Sequence, residues 1–397
     1  MKTKRILTMQ ARPGMVVAED VYASGQQLIV ARETVLDNRA IAMLRFYSVT
    51  DIKILLEEKQ NGEQKEEQKE EQKEPQKETL EEPLKEEEKE EPSGVPPEPE
   101  KQEPNFNEAV RKTKEYQMFN VEFRLSVVSL KGALDRFVSD PSRELDMDKL
   151  LNGVDKVLSE GRNGVHVIHM LQCMRNFDDL TYIHSMNVAL LCSVFAKWCH
   201  FSNEDEKLLV LAGLLHDIGK LKIPSAIVMK PDALTDEEYQ IMKTHPEEGY
   251  VILKDQDIDP RIKLSALMHH EKCDGSGYPN RLTSDKIEEF AKIIAIVDTY
   301  DAMTSARIYR GALCPFEVIS TFEEDGYQKY DPKFLLPFLQ GIVDTYLHCN
   351  VRLSDGQMGE IVFTNSNALS RPMIQTKDGF IDLAAKEYRN LKITELL

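Results

Sequence analysis

The pattern of hydrophobic and polar positions divides this chain into four stretches. In residues 1–56, two runs, VVAEDVY and QLIVARE, have the residue types of strands and flank a turn at residues 23–26. Helical spacing follows in LDNRAIAMLRFY, and DIKILL then has the pattern of a last strand. These patterns predict a small α+β domain at residues 1–56.

Residues 57–104 have almost no apolar positions. They are built on the repeat EEQK, and prolines interrupt the Glu/Lys spacing that would otherwise favour a helix. A segment of this composition cannot bury enough apolar surface to offset the entropy lost on folding. We therefore predict a disordered linker rich in Glu, Lys, Gln and Pro at residues 57–104.

Residues 105–348 have helical spacing throughout. Three helix-start signals stand out, and each combines a capping residue with a partner downstream. They are Asn203 with Glu206, Thr235 with Glu238, and Asp259 followed by Pro260. No alternating strand pattern interrupts this stretch, so it predicts an all-α domain.

The last stretch, residues 349–397, changes character again. RLSDGQMGEIVFTN and RPMIQTKDGFIDL each place an Asp-Gly turn between apolar runs, which predicts a small β-rich extension. The predicted fold class is therefore mainly all-α. A small α+β N-terminal domain precedes the helical domain, and the β-rich extension follows it.

Charge and cysteine content narrow the range of functions. Of the formal net charge of −18, residues 57–104 carry −11, from 19 Glu and 8 Lys. An acidic chain argues against a nucleic-acid polymer as partner, but bound metal ions would still allow a phosphate substrate. The six cysteines form no C-x-x-C pair, and no apolar stretch is long enough for a signal peptide or a membrane span. We expect a reduced, cytoplasmic protein with no membrane contact.

Histidines recur at predicted helix ends. His216 and Asp217 lie in the last turn of an apolar helix that Gly219 is expected to end. His245 precedes a proline, which disfavours continuation of the helix that begins at Thr235. His269 and His270 lie in a last turn just before a glycine break. Helix ends of this kind leave open volume at the loops, where the imidazoles can bind a ligand.

Further candidate ligands lie within apolar helices. Asp298 is on a face of small residues, Asp301 is about one turn further on, and His184 lies in LTYIHSMNVALL. A single buried histidine is more often a packing residue than a ligand. The whole set in one helical domain favours a multi-metal site, and imidazole with carboxylate suits Fe, Mn or Zn. Asp217 could bridge two ions that hold a hydroxide for in-line attack on phosphorus.

Four blocks, in this order, carry a resemblance to a known family: LLHDIGKLKIP, THPEEGY, HHEKCDGSGYP and VDTYDAMTSARIYR. The chain resembles the HD-GYP phosphodiesterases, a branch of the HD metallohydrolases, over roughly residues 170–340. The resemblance implies a helical domain that hydrolyses the bacterial second messenger cyclic di-GMP. The products would be linear pGpG, GMP or both, and the attacking group would be a metal-bridging hydroxide.

The resemblance also assigns residues. Asp217 would bridge the metals, and both Asp217 and Lys220 would be catalytic, with Lys220 near the scissile phosphate. Substrate contacts would come from Lys220 and from Gly277, Tyr278, Pro279, Asp301, Arg307 and Arg310. The metal ligands would be His184, His216, Asp217, His245, His269, His270 and Asp298.

The number of metal ions depends on one departure from the family pattern. Some members have a glutamate one helical turn before the first histidine and use it for a third metal. Leu180 stands at that position here, and Asp179 is rotated by about 100° from the face of His184. The expected cofactors are therefore two divalent metal ions, Fe or Mn.

Several alternatives remain open at this stage. A hybrid cyclic GMP-AMP substrate differs from cyclic di-GMP only at a base edge, and no residue in the sequence decides between the two. From another class, the protein could be a signalling module that binds a cyclic dinucleotide or a diguanylate cyclase (GGDEF) partner. A nucleotide monophosphatase is less favoured because the Gly-Tyr-Pro loop is intact. For oligomeric state, a homodimer is the commonest symmetric arrangement.

Overall fold

The computed structural model describes residues 3–8, 11–12, 14–22, 28–36, 40, 44, 49, 51–55, 110–140, 143–174, 180–305 and 312–397. The predicted linker at residues 57–104 lies outside these residues. Within them the chain is mainly helical, and small sheets lie toward both ends. This agrees with the fold class predicted from the sequence.

The N-terminal unit is built from short antiparallel strands around its own core. The strands are β1 (Thr3–Leu7), β2 (Val16–Val17), β3 (Val21–Tyr22), β4 (Leu28–Val30) and β5 (Asp51–Leu55). One sheet has the order β1-β5-β2, and β3 pairs with β4. Val17, Leu36, Leu44 and Ile52 are buried between them. The predicted turn at residues 23–26 and most of the predicted helix lie outside the described residues.

The helical domain follows. Its helices are α1 (Lys114–Ser139), α2 (Met147–Ser159), α3 (Gly164–Cys173), α4 (Leu180–Trp198), α5 (Asn203–Leu215), α6 (Ser225–Val228), α7 (Asp236–Met242), α8 (His245–Leu253), α9 (Pro260–Met268), α10 (Glu289–Thr304), α11 (Pro315–Lys329) and α12 (Pro332–Asp344). Short 3₁₀ segments occupy Ile218–Lys222 and Ser284–Lys286.

Two of the three predicted helix starts are confirmed. Thr235 and Glu238 form a reciprocal capping box at α7, and the Asp259 side chain caps α9 ahead of Pro260. The third prediction is wrong by one residue. The side chain of Ser202, rather than that of Asn203, accepts a hydrogen bond at the start of α5, from the backbone N–H of Asp205. A serine at this position is an equally good cap, and local sequence did not separate the two.

The core of the helical domain lies where α4 packs against α5 and α10 packs against both α4 and α9. Aromatic rings from three helices meet there. The ring of Phe338 on α12 is 5.6 Å from that of Phe195 and 5.4 Å from that of Tyr300, edge to face in both cases. This cluster fixes α10 against α4, and each of these two helices carries candidate metal ligands.

The C-terminal strands form one antiparallel sheet that shares the helical core. The strands are β6 (Asn350–Leu353), β7 (Met358–Phe363), β8 (Met373–Thr376), β9 (Gly379–Asp382) and β10 (Ile393–Leu396), in the order β10-β6-β7-β8-β9. Their inward side chains, including Ile361 and Ile374, are buried in the same cluster as the helices. Glu323 on α11 accepts a backbone hydrogen bond from Leu369, between β7 and β8. The predicted β-rich extension is therefore present.

All six cysteines are free thiols, and Cys173 and Cys192 are buried. None of the helices described here is long and apolar enough to cross a membrane.

Replacement of Phe338 by alanine tests the importance of the aromatic cluster. We expect Phe338→Ala to lower the free energy of unfolding by about 3–5 kcal/mol, because a fully buried ring is replaced by a cavity. Urea unfolding followed by fluorescence of Trp198, the only tryptophan, measures this change.

Leu336→Ala on the same helix is the matched control. Leu336 is 43% exposed, so its loss should change the free energy of unfolding by about 0.5 kcal/mol or less. Equal losses for the two variants would show that the cluster does not anchor α12.

Candidate metal centre

Three helix termini bring histidines to one buried aspartate. His216 follows the last residue of α5 and precedes Asp217, His245 is the first residue of α8, and His269 follows the last residue of α9. The three histidines and Asp217 have at most 1% of their surface exposed. The prediction that imidazoles lie at helix ends holds at all three places.

A backbone carbonyl fixes the orientation of each of these three rings. In each ring the Nδ1–H donates to the carbonyl of a residue three positions earlier. The acceptors are Gly213 for His216 at 2.7 Å, Met242 for His245 at 2.7 Å and Ala266 for His269 at 3.0 Å. Because Nδ1 carries the proton, Nε2 of each neutral ring presents a free lone pair.

The free lone pairs converge on Asp217. Its carboxylate oxygens lie 3.4 Å from Nε2 of His216, 3.3 Å from that of His245 and 3.7 Å from that of His269. Nε2 of His245 and Nε2 of His269 are 3.2 Å apart, so two acceptors face each other. The repulsion between the two lone pairs is relieved by a cation that both nitrogens bind, either a proton or a metal ion.

Unsatisfied buried atoms support the same conclusion. Nε2 of His216 and Oδ1 of Asp217 are buried and have no hydrogen-bond partner. Buried polar atoms of this kind are rare unless something binds them. The residues present therefore fit divalent metal ions, which imidazole and carboxylate bind well.

Two groups of potential ligands share Asp217. Each group has its ligand atoms within 4.8 Å of one another. One contains Asp217, His245, His269 and His270, and the other contains His184, His216 and Asp217. Asp217 would therefore serve as a ligand common to both groups if both held an ion.

His184 on α4 joins the centre to α10. Its Nε2 is 2.9 Å from Oδ1 of Asp298, and its Nδ1 is 2.7 Å from Oδ2 of Asp301. Asp301 also accepts a hydrogen bond from the side-chain amide of Asn187, at 3.1 Å. Asp301 thus lies behind His184, on the side away from Asp217, and is only 6% exposed.

The pKa values of these groups depend on burial and on their neighbours. Burial alone would lower the pKa of His184, but hydrogen bonds with Asp298 and Asp301 raise it to about 9. Burial lowers the pKa of His269 to about 4. Burial would raise the pKa of Asp217, yet Lys220 and His216 hold it well below its usual range. Asp217 therefore stays ionised, which is the protonation state that a carboxylate needs to bind a metal, whereas His184 would have to release a proton to do so.

Lys220 reaches the centre from the 3₁₀ turn after Asp217, and its Nζ is 2.5 Å from Oδ2 of Asp217. The sequence prediction that Gly219 ends the preceding helix is wrong, because α5 ends at Leu215 and Gly219 lies inside the 3₁₀ turn. A Cβ at Gly219 would be 1.9 Å from the carbonyl oxygen of His245. Glycine is needed there for the close approach of two ligand-bearing segments.

The Gly-Tyr-Pro loop packs directly on the histidine pair. The ring of Tyr278 stacks on that of His270 at 4.7 Å, and its backbone N–H donates to the carbonyl of His270. A Cβ at Gly277 would be 2.5 Å from Cα of Glu271, so this residue must be glycine. Pro279 follows through a cis peptide bond.

The structure places most of the predicted site residues together. Of the predicted site residues, Lys220 and the Gly-Tyr-Pro loop lie around the candidate metal-binding side chains. Arg307, Arg310, Asp179 and the side chain of Leu180 lie outside the described residues. Asp301, predicted to contact substrate, hydrogen-bonds His184, and its contact with substrate stays a prediction.

Sequence reasoning missed two polar residues that support the centre. Asn187 bonds Asp301, and the buried carboxylate of Glu271 accepts hydrogen bonds from the backbone of the Gly-Tyr-Pro loop. Asn187 could have been predicted from the sequence, because it lies one helical turn after His184. For Glu271, the signal was an acid directly after the histidine pair.

The position of Asp301 predicts that it orients His184 for metal binding. Asp301→Asn removes the anionic acceptor from Nδ1 of His184, so we expect affinity for Mn²⁺ to fall by about 10- to 100-fold. Competition with a fluorescent chelator measures that affinity directly, with no substrate present.

Glu289→Gln is the matched control, because it removes one exposed carboxylate from the same helix and leaves the ligands untouched. Its metal affinity should equal that of the parent. If Asp301→Asn kept full metal affinity and lost only substrate binding, the role predicted from the sequence would be correct instead.

Comparisons with known proteins agree with this geometry. Residues 169–334 match the family model described as HD domain. A cyclic di-GMP phosphodiesterase from Pseudomonas aeruginosa is 31% identical over 224 residues, which cover 56% of this chain and 54% of that protein. A 3′3′-cGAMP-specific phosphodiesterase from Vibrio cholerae is 39% identical over 145 residues, covering 36% of this chain and 34% of that protein.

The matches thus span about half of the first relative and a third of the second. Among solved structures, an HD-GYP-related protein from Bdellovibrio bacteriovorus aligns with a TM-score of 0.48 and 14% identity, over 86% of this chain and 99% of that chain. The assignment rests on the family model, the curated relatives and the ligand motifs. Residues 169–334 of this chain therefore match the HD domain family, and their histidine, aspartate and Gly-Tyr-Pro motifs resemble those of its HD-GYP branch.

Proposed function

We propose that this protein is a metal-dependent phosphodiesterase that hydrolyses cyclic di-GMP. The observation that carries the proposal is the convergence of three Nε2 lone pairs on the buried carboxylate of Asp217, which Lys220 also contacts. Relatives named as cyclic di-GMP phosphodiesterases support the choice of substrate.

The candidate ligand residues would contribute to the reaction by holding the metal ions in place. Divalent ions bound there would supply Lewis-acid chemistry, which polarises a phosphoryl oxygen and acidifies water. Asp217, common to both ligand groups, would hold the two ions close together. The carbonyl contacts to Nδ1 keep the histidine rings in position, so the site needs little reorganisation during the reaction.

Lys220 is the cation best placed to act on the substrate. Its side chain is 23% exposed, whereas Asp217, its partner, is 1% exposed. It therefore lies between the buried ligands and the open side of the site. From there its ammonium group can stabilise the negative charge that develops on the phosphoryl oxygens during attack.

Tyr278 contributes a neutral hydroxyl beside the ligands. Burial raises the pKa of Tyr278 well above its usual range, and the nearby carboxylates Asp298 and Asp217 raise it further. The phenol thus stays protonated and able to donate a hydrogen bond to a phosphate or a base. We assign Tyr278, Gly277 and Pro279 to the wall of the substrate pocket.

A second candidate substrate is hybrid cyclic GMP-AMP. The relative from Vibrio cholerae that is named as specific for 3′3′-cGAMP is 39% identical over the region that it shares with this chain. The two dinucleotides present the same phosphodiester to the metal centre and differ at one base. The same metal site therefore serves either substrate, and the choice depends on contacts to the bases.

The test is turnover by purified protein loaded anaerobically with Fe²⁺ or Mn²⁺. Cyclic di-GMP and 3′3′-cGAMP are followed side by side by chromatography. We expect hydrolysis of cyclic di-GMP that EDTA abolishes and added metal restores. The identity of the product shows whether one phosphodiester bond or both are cut.

His245→Ala and His348→Ala form a matched pair for this assay. Loss of the buried ligand His245 should reduce turnover to background, whereas His348, 69% exposed and paired with Glu360 in the C-terminal sheet, should be dispensable. Faster turnover of 3′3′-cGAMP would change the assigned substrate. Binding of either dinucleotide without turnover under both metals would favour a signalling module instead.

A further inference from the structure

Glu271 is a buried acid that the proposed chemistry does not use. It follows His270 directly, yet it belongs to neither group of potential metal ligands, and it is only 2% exposed. No lysine or arginine within the described part of the chain forms an ion pair with it. Burial of a carboxylate is costly unless hydrogen bonds compensate, so its contacts should account for its position.

Both carboxylate oxygens of Glu271 accept hydrogen bonds from one loop. Oε1 accepts from the backbone N–H of Asn280 at 2.7 Å, and Oε2 accepts from that of Leu282 at 2.9 Å. These two residues follow the Gly-Tyr-Pro sequence. Glu271 therefore ties the far side of the loop to the residue next to the histidine pair.

Other contacts close the loop around this carboxylate. The backbone of Gly277 packs on that of Glu271, and the N–H of Tyr278 donates to the carbonyl of His270 at 3.2 Å. An isolated bridge between Asp274 and Thr283 joins the two ends of the loop. The result is a compact loop with one charged group at its centre.

We propose that Glu271 is a positioning residue for the Gly-Tyr-Pro loop. Its carboxylate holds Asn280 and Leu282 so that the ring of Tyr278 stays stacked on His270 and the loop keeps its shape as a wall of the substrate pocket. This inference rests on the proposed function, because its effect is seen in the binding of a cyclic dinucleotide. It assigns no chemical step to Glu271.

The geometry separates this role from two others. A metal ligand would leave at least one oxygen facing the other ligands, but both oxygens of Glu271 are engaged by loop N–H groups. A general acid would need access to the leaving group, and Glu271 is sealed beneath the loop. Its contribution must therefore pass through the backbone that it holds.

The test compares Glu271→Ala and Glu271→Gln with Glu288→Ala in the Mn²⁺-loaded chain of residues 1–397. Glu288 is the matched control, because its carboxylate also accepts two backbone hydrogen bonds, from Phe290 and Ala291, but at the start of α10. Each variant is assayed with cyclic di-GMP and with methyl p-nitrophenyl phosphate, a diester that has no base to contact the loop. Metal content and thermal stability are measured on the same samples.

We expect the KM of Glu271→Ala for cyclic di-GMP to rise by about tenfold or more, because two loop N–H donors lose their acceptors and the loop loosens. Activity on the small diester and the metal content should match the parent. The KM of Glu271→Gln for cyclic di-GMP should lie between that of the parent and that of Glu271→Ala, since its side-chain amide keeps one oxygen acceptor. Glu288→Ala should lose stability with an unchanged KM.

Two results would overturn the inference while leaving the proposed function in place. One is a parent-like KM in Glu271→Ala, and the other is an equal loss of activity on both substrates, which would mean that Glu271 acts through the metal ligands. A parent protein that cleaves the small diester but neither binds nor cleaves cyclic di-GMP would overturn the proposed substrate together with the loop's role.

Discussion

The structure depends on the burial of one negative charge. Asp217 is 1% exposed, and an ionised carboxylate in that position is stable only with positive or hydrogen-bonding groups around it. Lys220, from the 3₁₀ turn, supplies one positive group. The Nε2 atoms of His245, at the start of α8, and of His269, at the end of α9, face the carboxylate from separate segments and would hold a further cation beside it. The way these helices pack is therefore inseparable from the electrostatics of the centre.

Around that charge, the supporting groups form a second layer. Backbone carbonyls fix three of the rings, Asp301 bonds His184, and the neighbouring loop is tied to Glu271. Each of these contacts gives a ring or backbone N–H group an oxygen acceptor. The layer leaves the ligand atoms with few alternative orientations, which is the property that a metal site needs for tight and repeatable binding.

The sequence was informative wherever a residue type was unusual for its surroundings. The sequence alone was enough to recognise the histidines at helix ends, the acid beside His216 and the capping box at Thr235. The direction in which a side chain points could not be recognised from the sequence. Asp298 and Asp301 are three residues apart on one helix, yet one faces the ligand groups and the other faces the back of His184. That distinction depends on how α10 is rotated against α4, which only tertiary packing determines.

The close approach at Gly219 illustrates the same limit. A glycine after a helix is usually interpreted as a terminator, and here it is a spacer between two segments that are distant in the sequence. Ser202 and Asn203 differ by one position, and both are good caps, so backbone geometry made the choice. The backbone N–H groups that donate to Glu271 lie nine and eleven residues away in the sequence, beyond any local periodicity.

The shared core of the helices and the C-terminal sheet has a consequence for cooperativity. Val351, Ile361 and Ile374 pack in the same cluster as the residues that hold α10 and α12 together, and Glu323 links α11 to the chain between β7 and β8. Strands that bury their inner face against helices cannot separate from them without exposing both surfaces to water. The sheet and the helical bundle should therefore melt in a single transition, so that residues at the far end of the chain set the temperature at which the metal centre is lost.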